Sequence, residues 1–371
     1  MFLTRPSQIV LVVLFIAALW IPLLVMLAAP TEDVSQSEKR RLASAPDFSF
    51  ATITRFAGEF ENYFDDHFGL RQPLVRAYNF IRVKLFNSSG TEWVLIGKDG
   101  WLFHGGEHIR DMRNANPYSS FQLNRWAEIL QEKQQWLETR GIKYLFMFTP
   151  NKHLLYPQFL PRYLNEVSEV SRLDQLVDHI RKSTMVRILD VRPALTEAAE
   201  VLRTHHATDT HWNAYGGYVA YRALMDELKP EFPELSPLEL KISDFETVDA
   251  PGGDLAQMLD MQNVLREKNI RTRAPVSRCA RIPKLGANPT HEQLFNHSFA
   301  TYCDKAPYRV LMFRDSYSFE LMPYLSESFG YIYYHVNSPV PVDVLKKLVD
   351  EHKPDLVIEQ RSSRWLRMPE G

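Results

Sequence analysis

From residue 121 onward, short apolar runs alternate with helical patterns, and this restricts the fold more than any other feature of the chain. Apolar runs at 144–148, 186–191, 308–313, 331–336 and 355–359 are each bounded by turn-forming or polar residues. Between them lie stretches with apolar residues at helical spacing, over 121–140, 171–182, 214–228, 319–328 and 342–352. Strands separated by helices form βαβ units, which require a mostly parallel sheet covered on both faces. The expectation is therefore an α/β domain over 91–371, with an irregular insertion at about 235–307, where the pattern gives way to Pro, basic residues and both cysteines. Ahead of it, 56–86 reads as two helices broken near Gly69, and Gly97-Lys98-Asp99-Gly100 as the turn of a hairpin.

Parallel sheets build their sites at the carboxyl ends of their strands. Here the run 308–313 breaks into Arg314-Asp315-Ser316-Tyr317-Ser318, which sets a hydroxyl at a strand end. A hydroxyl is a poor nucleophile unless a base removes its proton. Asp209-Thr210-His211-Trp212-Asn213 supplies an imidazole with an acid two residues away, on the same side of an extended segment. Ser316, His211 and Asp209 are thus the candidate nucleophile, base and orienting acid. The Tyr317 N–H and the Asn151 side chain are candidate oxyanion donors, and Trp212 and Tyr317 are candidate platforms for a sugar ring. Asp315 with Ser316 also fits a plain helix cap, and Asn213 a cap for the helix after it. The cluster His205, His206, Asp209 and His211 invites a metal reading, but adjacent histidines in a strand face opposite ways and no HExxH spacing occurs. No metal or cofactor is expected.

The amino terminus carries an unbroken apolar run from Ile9 to Ala29 behind Arg5, of roughly the 20 residues that a bilayer core requires. Residues 1–30 read as an uncleaved anchor in preference to a signal peptide, because the run is long and proline follows Ala28-Ala29. Residues 31–90 read as a tether and juxtamembrane helices, with Asp66 and His67 as turn and cap. Flanking charges leave the orientation open. A net charge of −2 gives no basic field for nucleic acid. Cys279 and Cys303 can close the insertion as one disulfide or stand as two free thiols.

Several of these segments, in this order, resemble the alginate O-acetyltransferase (AlgJ/AlgX-like) family. The residues that carry the likeness are Asp209-Thr210-His211-Trp212, Gly253-Asp254-Leu255-Ala256 and Asp315-Ser316-Tyr317-Ser318. Also similar are Tyr63-Phe64-Asp65-Asp66-His67-Phe68-Gly69-Leu70-Arg71, Gly97-Lys98-Asp99-Gly100-Trp101-Leu102-Phe103, Pro150-Asn151-Lys152 and Lys353-Pro354-Asp355-Leu356-Val357-Ile358. The resemblance runs from about residue 40 onward. It implies a three-layer α/β/α SGNH-hydrolase-like domain in permuted motif order, with Ser316, His211 and Asp209 as its triad. It also implies acetylation of an exported polysaccharide at the periplasmic face of the inner membrane, beside a membrane-bound O-acyltransferase that supplies the acetyl group. The chain departs from the pattern at Arg314, where glycine usually stands, which makes Arg314 a further candidate at the elbow. Little sequence follows Glu359, so the expectation is a single-domain, anchored member. An esterase with the same triad and a non-catalytic scaffold in an export complex are the competing functions.

Overall fold

The computed structural model describes residues 5–28, 33–35, 40–50, 52–106, 108–164, 169–276, 279–282, 294, 296–336 and 340–366. Its centre is a six-stranded sheet: β1 Lys143–Thr149, β2 Ile188–Asp190, β3 Phe299–Tyr302, β4 Arg309–Arg314, β5 Tyr331–Val336 and β6 Leu356–Ser362. The order across the sheet is β2-β1-β6-β4-β5-β3. Five strands are parallel, and β3 closes one edge antiparallel to β5.

The parallel strands are apolar on both faces because helices cover both. Tyr144, Phe146, Phe148, Leu311, Phe313 and Val357 face one layer, made by the helices Ser120–Glu138, Arg172–Ser183 and Val342–His352. Leu145, Met147, Val310, Met312, Ile332 and Ile358 face the other, made chiefly by Arg192–Ala199 and Ala214–Leu228. Alternate residues of one strand thus enter opposite cores, and the domain has three layers, α/β/α. The helix Ser120–Glu138 starts at a capping box between Ser119 and Gln122 and gives way to Gly141 at φ +71°.

Four expectations need correcting. The stretch 235–307 is not simply irregular: Phe245–Ala250 and Glu267–Thr272 form an antiparallel hairpin around the short helix Asp254–Met258, and β3 belongs to the main sheet. The pattern at 319–328 resolves into a 3-10 turn, Ser316–Glu320, and a four-residue helix, Met322–Leu325. The helix Arg192–Ala199 went unanticipated. Asp66 and His67 do more than cap a turn: Asp66 accepts from the Arg40 guanidinium and the Ala43 N–H, and His67 bonds to the Ala43 carbonyl, which fastens the tether to its helix.

Cys279 and Cys303 are joined in a disulfide, with Cα atoms 4.9 Å apart. The amino-terminal helix, Arg5–Ala28, contains Pro22, and 23 of its residues are long and apolar enough to cross a membrane.

Candidate active site

β4 ends at Arg314, which still pairs with Val336 of β5. The turn begins only at Asp315, whose carboxylate fixes it from three sides. Oδ1 accepts the Tyr317 N–H at 2.9 Å and the Gln360 side-chain amide at 2.7 Å, and Oδ2 accepts the Ser362 N–H at 2.7 Å. Gln360 in turn accepts the Asp315 N–H at 3.0 Å and donates to Thr149 Oγ1 at 2.9 Å. The carboxyl ends of β1, β4 and β6 are thereby tied together beneath Ser316.

The segment Thr204–Asn213 crosses above this rim. Lys152, buried just beyond β1, supports it from below, its ammonium donating to the carbonyls of His206, Ala207 and Asp209 at 3.1, 3.0 and 2.7 Å. Burial, the largest influence, brings the Lys152 pKa down to about 7 against the attraction of Asp209, Asp254 and Glu267. On the other flank Glu267 accepts the Thr208 N–H at 2.7 Å and pairs with His206 Nδ1 at 2.5 Å.

These supports bring His211 over the strand end. Its Nε2 lies 2.7 Å from Ser316 Oγ, and its Nδ1 lies 2.7 Å from Asp209 Oδ1. A carboxylate only accepts, so the proton between that pair sits on Nδ1, which leaves the Nε2 lone pair for the Ser316 hydroxyl. The same Asp209 Oδ1 accepts the His211 N–H at 2.9 Å, and Oδ2 accepts the Asp254 N–H at 2.8 Å. Burial would raise the Asp209 carboxyl, but the His211 charge and these hydrogen bonds hold it well below the usual range. Asp254 also accepts from the Thr210 N–H and hydroxyl at 2.8 and 2.7 Å, fixing the residue between Asp209 and His211.

Ser316, His211 and Asp209 open onto a cavity of about 400 Å³, also lined by His206, Gly253, Asp254, Gln257, Phe319 and Glu320. Burial pushes the Glu320 carboxyl up, against the attraction of His206 and His211.

Of the remaining candidates, Trp212 and Tyr317 belong to the wall of this cavity with almost no exposed surface, while Asn151 and Arg314 lie outside it. Trp212 is wholly buried, edge-on to Tyr317 with centroids 5.2 Å apart. Tyr317 is buried too, its hydroxyl donating to the Thr210 carbonyl at 2.8 Å, so neither ring is free to stack on a sugar. The Tyr317 N–H already donates to Asp315 and is not an idle oxyanion donor. Asn151 lines a separate small cleft with His104, His108, His153 and Arg364. The buried Arg314 side chain points into the protein, where it donates to the carbonyls of Leu294 and His297 and passes within 5.8 Å of the Phe299 ring centre. Asp209, His211 and Asp254 place ligand-type atoms within 4.8 Å of one another, but hydrogen bonds with one another and with the neighbouring backbone and Thr210 already engage those atoms.

Residues 94–335 match the family described as SGNH hydrolase-like domain, acetyltransferase AlgX. The chain belongs to this AlgX family. Among its relatives, the probable alginate O-acetylase AlgJ of Pseudomonas aeruginosa is 27% identical over 193 residues, which cover 51% of this chain and 47% of that protein. The protein of that name in Pseudomonas fluorescens is 23% identical over 248 residues, 66% of this chain and 60% of the other. The matched stretches span 47% and 60% of the length of these curated relatives, less than two thirds of either. Two solved structures share the fold of this AlgX-family chain. PatB1 of Bacillus cereus has a TM-score of 0.54 at 14% identity, covering 74% of this chain and 96% of that one. A DHHW family protein of Eubacterium siraeum has a TM-score of 0.54 at 16% identity, covering 76% and 95%. The fold is thus SGNH-like, with a mixed sheet.

Proposed function

We propose that this AlgX-family chain is an O-acetyltransferase that acetylates hydroxyls of an exported polysaccharide through an acetyl-Ser316 intermediate. The observation that carries the reading is the run of two 2.7 Å contacts, Ser316 Oγ to His211 Nε2 and His211 Nδ1 to Asp209. Membership of the AlgX family supports acetyl transfer over other acyl chemistry. In the first half-reaction His211 takes the Ser316 proton as Oγ attacks the carbonyl carbon of an acetyl donor. The tetrahedral adduct collapses, acetyl stays on Ser316, and the leaving group departs with the proton from His211. In the second, His211 takes the proton of a sugar hydroxyl, whose oxygen attacks the acetyl-enzyme. Ser316 leaves and recovers its proton from His211. Asp209 holds the tautomer and balances the transient imidazolium.

On this reading Gln257 and Glu320, which line the cavity, contact the acceptor. Residues 1–30 anchor the chain in the inner membrane, 31–90 connect it, and 91–371 form the periplasmic catalytic domain, with the acid-base segment ahead of the nucleophile in a permuted order. The acetyl donor is a membrane-bound O-acyltransferase. The test supplies a small acetyl ester and an oligosaccharide acceptor to the full chain. The account expects acetylated oligosaccharide; free acetate alone would make the protein an esterase, and neither product would leave it a scaffold.

A further inference from the structure

Two helices, Ile53–His67 and Arg71–Phe86, precede the catalytic domain and meet at the turn 68–70. On the second, Leu74, Tyr78, Ile81 and Leu85 follow one another at i, i+4, i+7 and i+11, so they share one face. They are 54%, 52%, 46% and 73% exposed, so the described residues leave about half or more of each side chain open. The opposite face is fixed to the domain: Arg76 pairs with Asp260, Asn79 donates to the Leu259 carbonyl at 2.9 Å, and Val83 packs into the cluster of Leu255, Leu259 and Met261. A helix held on one side thus presents an apolar stripe outward on the other. Its partner helix buries no residue and carries a second apolar run, in which the Phe56, Phe60 and Phe64 rings stack at 5.9 and 6.3 Å.

What covers the stripe is indicated by the amino-terminal helix. The backbone of Pro22 and Met26 lies directly against Gly69 at the turn between the two helices, where a Cβ would stand 1.9 Å from the Pro22 carbonyl oxygen. Pro22 and Met26 belong to the last two turns of the apolar span, which at 1.5 Å per residue is roughly as long as a bilayer core is thick. The helix pair therefore lies at the level where that span leaves the hydrocarbon. We propose that the stripe Leu74-Tyr78-Ile81-Leu85 is a membrane-interface surface, seated in the bilayer that holds the Arg5–Ala28 helix, and that it fixes the height and tilt of the catalytic domain. The occupant is lipid and the attraction chiefly apolar: the stripe's own helix carries Arg71, Arg76, Arg82 and Lys84, of which Arg76 is paired with Asp260, and the neighbouring helix sets Glu59, Glu61 and Asp65 against them.

The inference is independent of the chemistry at Ser316, and its test needs no substrate. The full chain is placed in phosphatidylcholine discs with a nitroxide on one introduced cysteine, by Ile81→Cys, Leu85→Cys or, as a distant control, Met185→Cys, a position 87% exposed. Accessibility to oxygen relative to a water-soluble nickel chelate is expected to rise about fivefold or more at 81 and 85 over 185, because oxygen concentrates in the membrane and the chelate is excluded. High salt should leave that ratio unchanged. A ratio at 81 and 85 equal to that at 185 would place the stripe in water and overturn the proposal. Labels shielded from both reagents would overturn it as well, since the stripe would then be covered by protein.

Discussion

Gly253 lies so close to Asp209 that a Cβ at position 253 would stand 2.3 Å from the Asp209 Cβ and 2.6 Å from its Oδ2. The contact joins the loop before the helix Asp254–Met258 to the carboxylate that accepts from His211 Nδ1. Gly253→Ala is therefore expected to displace Asp209, cost about 1–3 kcal/mol of stability, and lower kcat about tenfold or more. Urea unfolding and steady-state ester turnover measure the two effects. A variant with full activity would show that the placement of Asp209 is not critical.

Asp315 holds the strand-end turn through the Tyr317 and Ser362 N–H groups and Gln360. In Asp315→Ala two of the backbone donors at the elbow lose their acceptor, which costs about 3 kcal/mol or more, and the Ser316 hydroxyl loses its fixed position. Both Tm and kcat should fall. Asp315→Asn keeps acceptor oxygen and should retain more of each.

How much of this arrangement could be read beforehand follows from its physical origin. The five parallel strands announce themselves as continuous apolar runs, their covering helices other than Arg192–Ala199 by apolar residues at helical spacing, and Asp209, His211 and Ser316 because a two-residue spacing and a strand end are local features. The hairpin Phe245–Ala250 with Glu267–Thr272 gave no such signal: it is partly exposed and carries charge pairs such as Arg271 with Glu246 in place of an apolar face. The last residues of β6, Gln360, Arg361 and Ser362, look like surface but are buried, and Gln360 there engages Asp315 and Thr149. Lys152, Asp254 and Glu267 act on residues 44 to 61 positions away, a relation with no local trace. Gly253-Asp254 stands out as part of the family likeness, without a sign of what it touches.

Lys152 makes stability depend on pH. Burial holds its pKa near 7, so between about 7 and the ordinary lysine value the unfolded chain carries a proton that the folded chain lacks. Its contribution therefore rises with pH across that window, by up to about 1.4 kcal/mol per pH unit, while below about 7 the penalty is constant and complete. Lys152→Met abolishes this slope. The difference in unfolding free energy, wild type minus variant, should grow in favour of the wild type between pH about 7 and about 9.5; a flat difference would contradict the assignment.

The Cys279–Cys303 bond closes a loop of 24 residues in sequence separation. By the chain-entropy argument, its reduction should lower stability by about 3 kcal/mol. The end of β3 and the starts of β4 and β5 lie beside it, at the sheet edge away from Ser316, so residual activity at low temperature should persist. Unfolding with and without reductant, compared with the Cys279→Ser/Cys303→Ser pair, checks both statements.

The most direct measurement is the intact mass of the full chain after a short exposure to a small acetyl ester. The account predicts one added acetyl group, about 42 Da heavier and mapped to Ser316, that disappears when an oligosaccharide acceptor is added. Ser316→Ala should show neither the adduct nor acetyl transfer, with Tm unchanged. An adduct on another residue, or acetyl transfer surviving in Ser316→Ala, would contradict it.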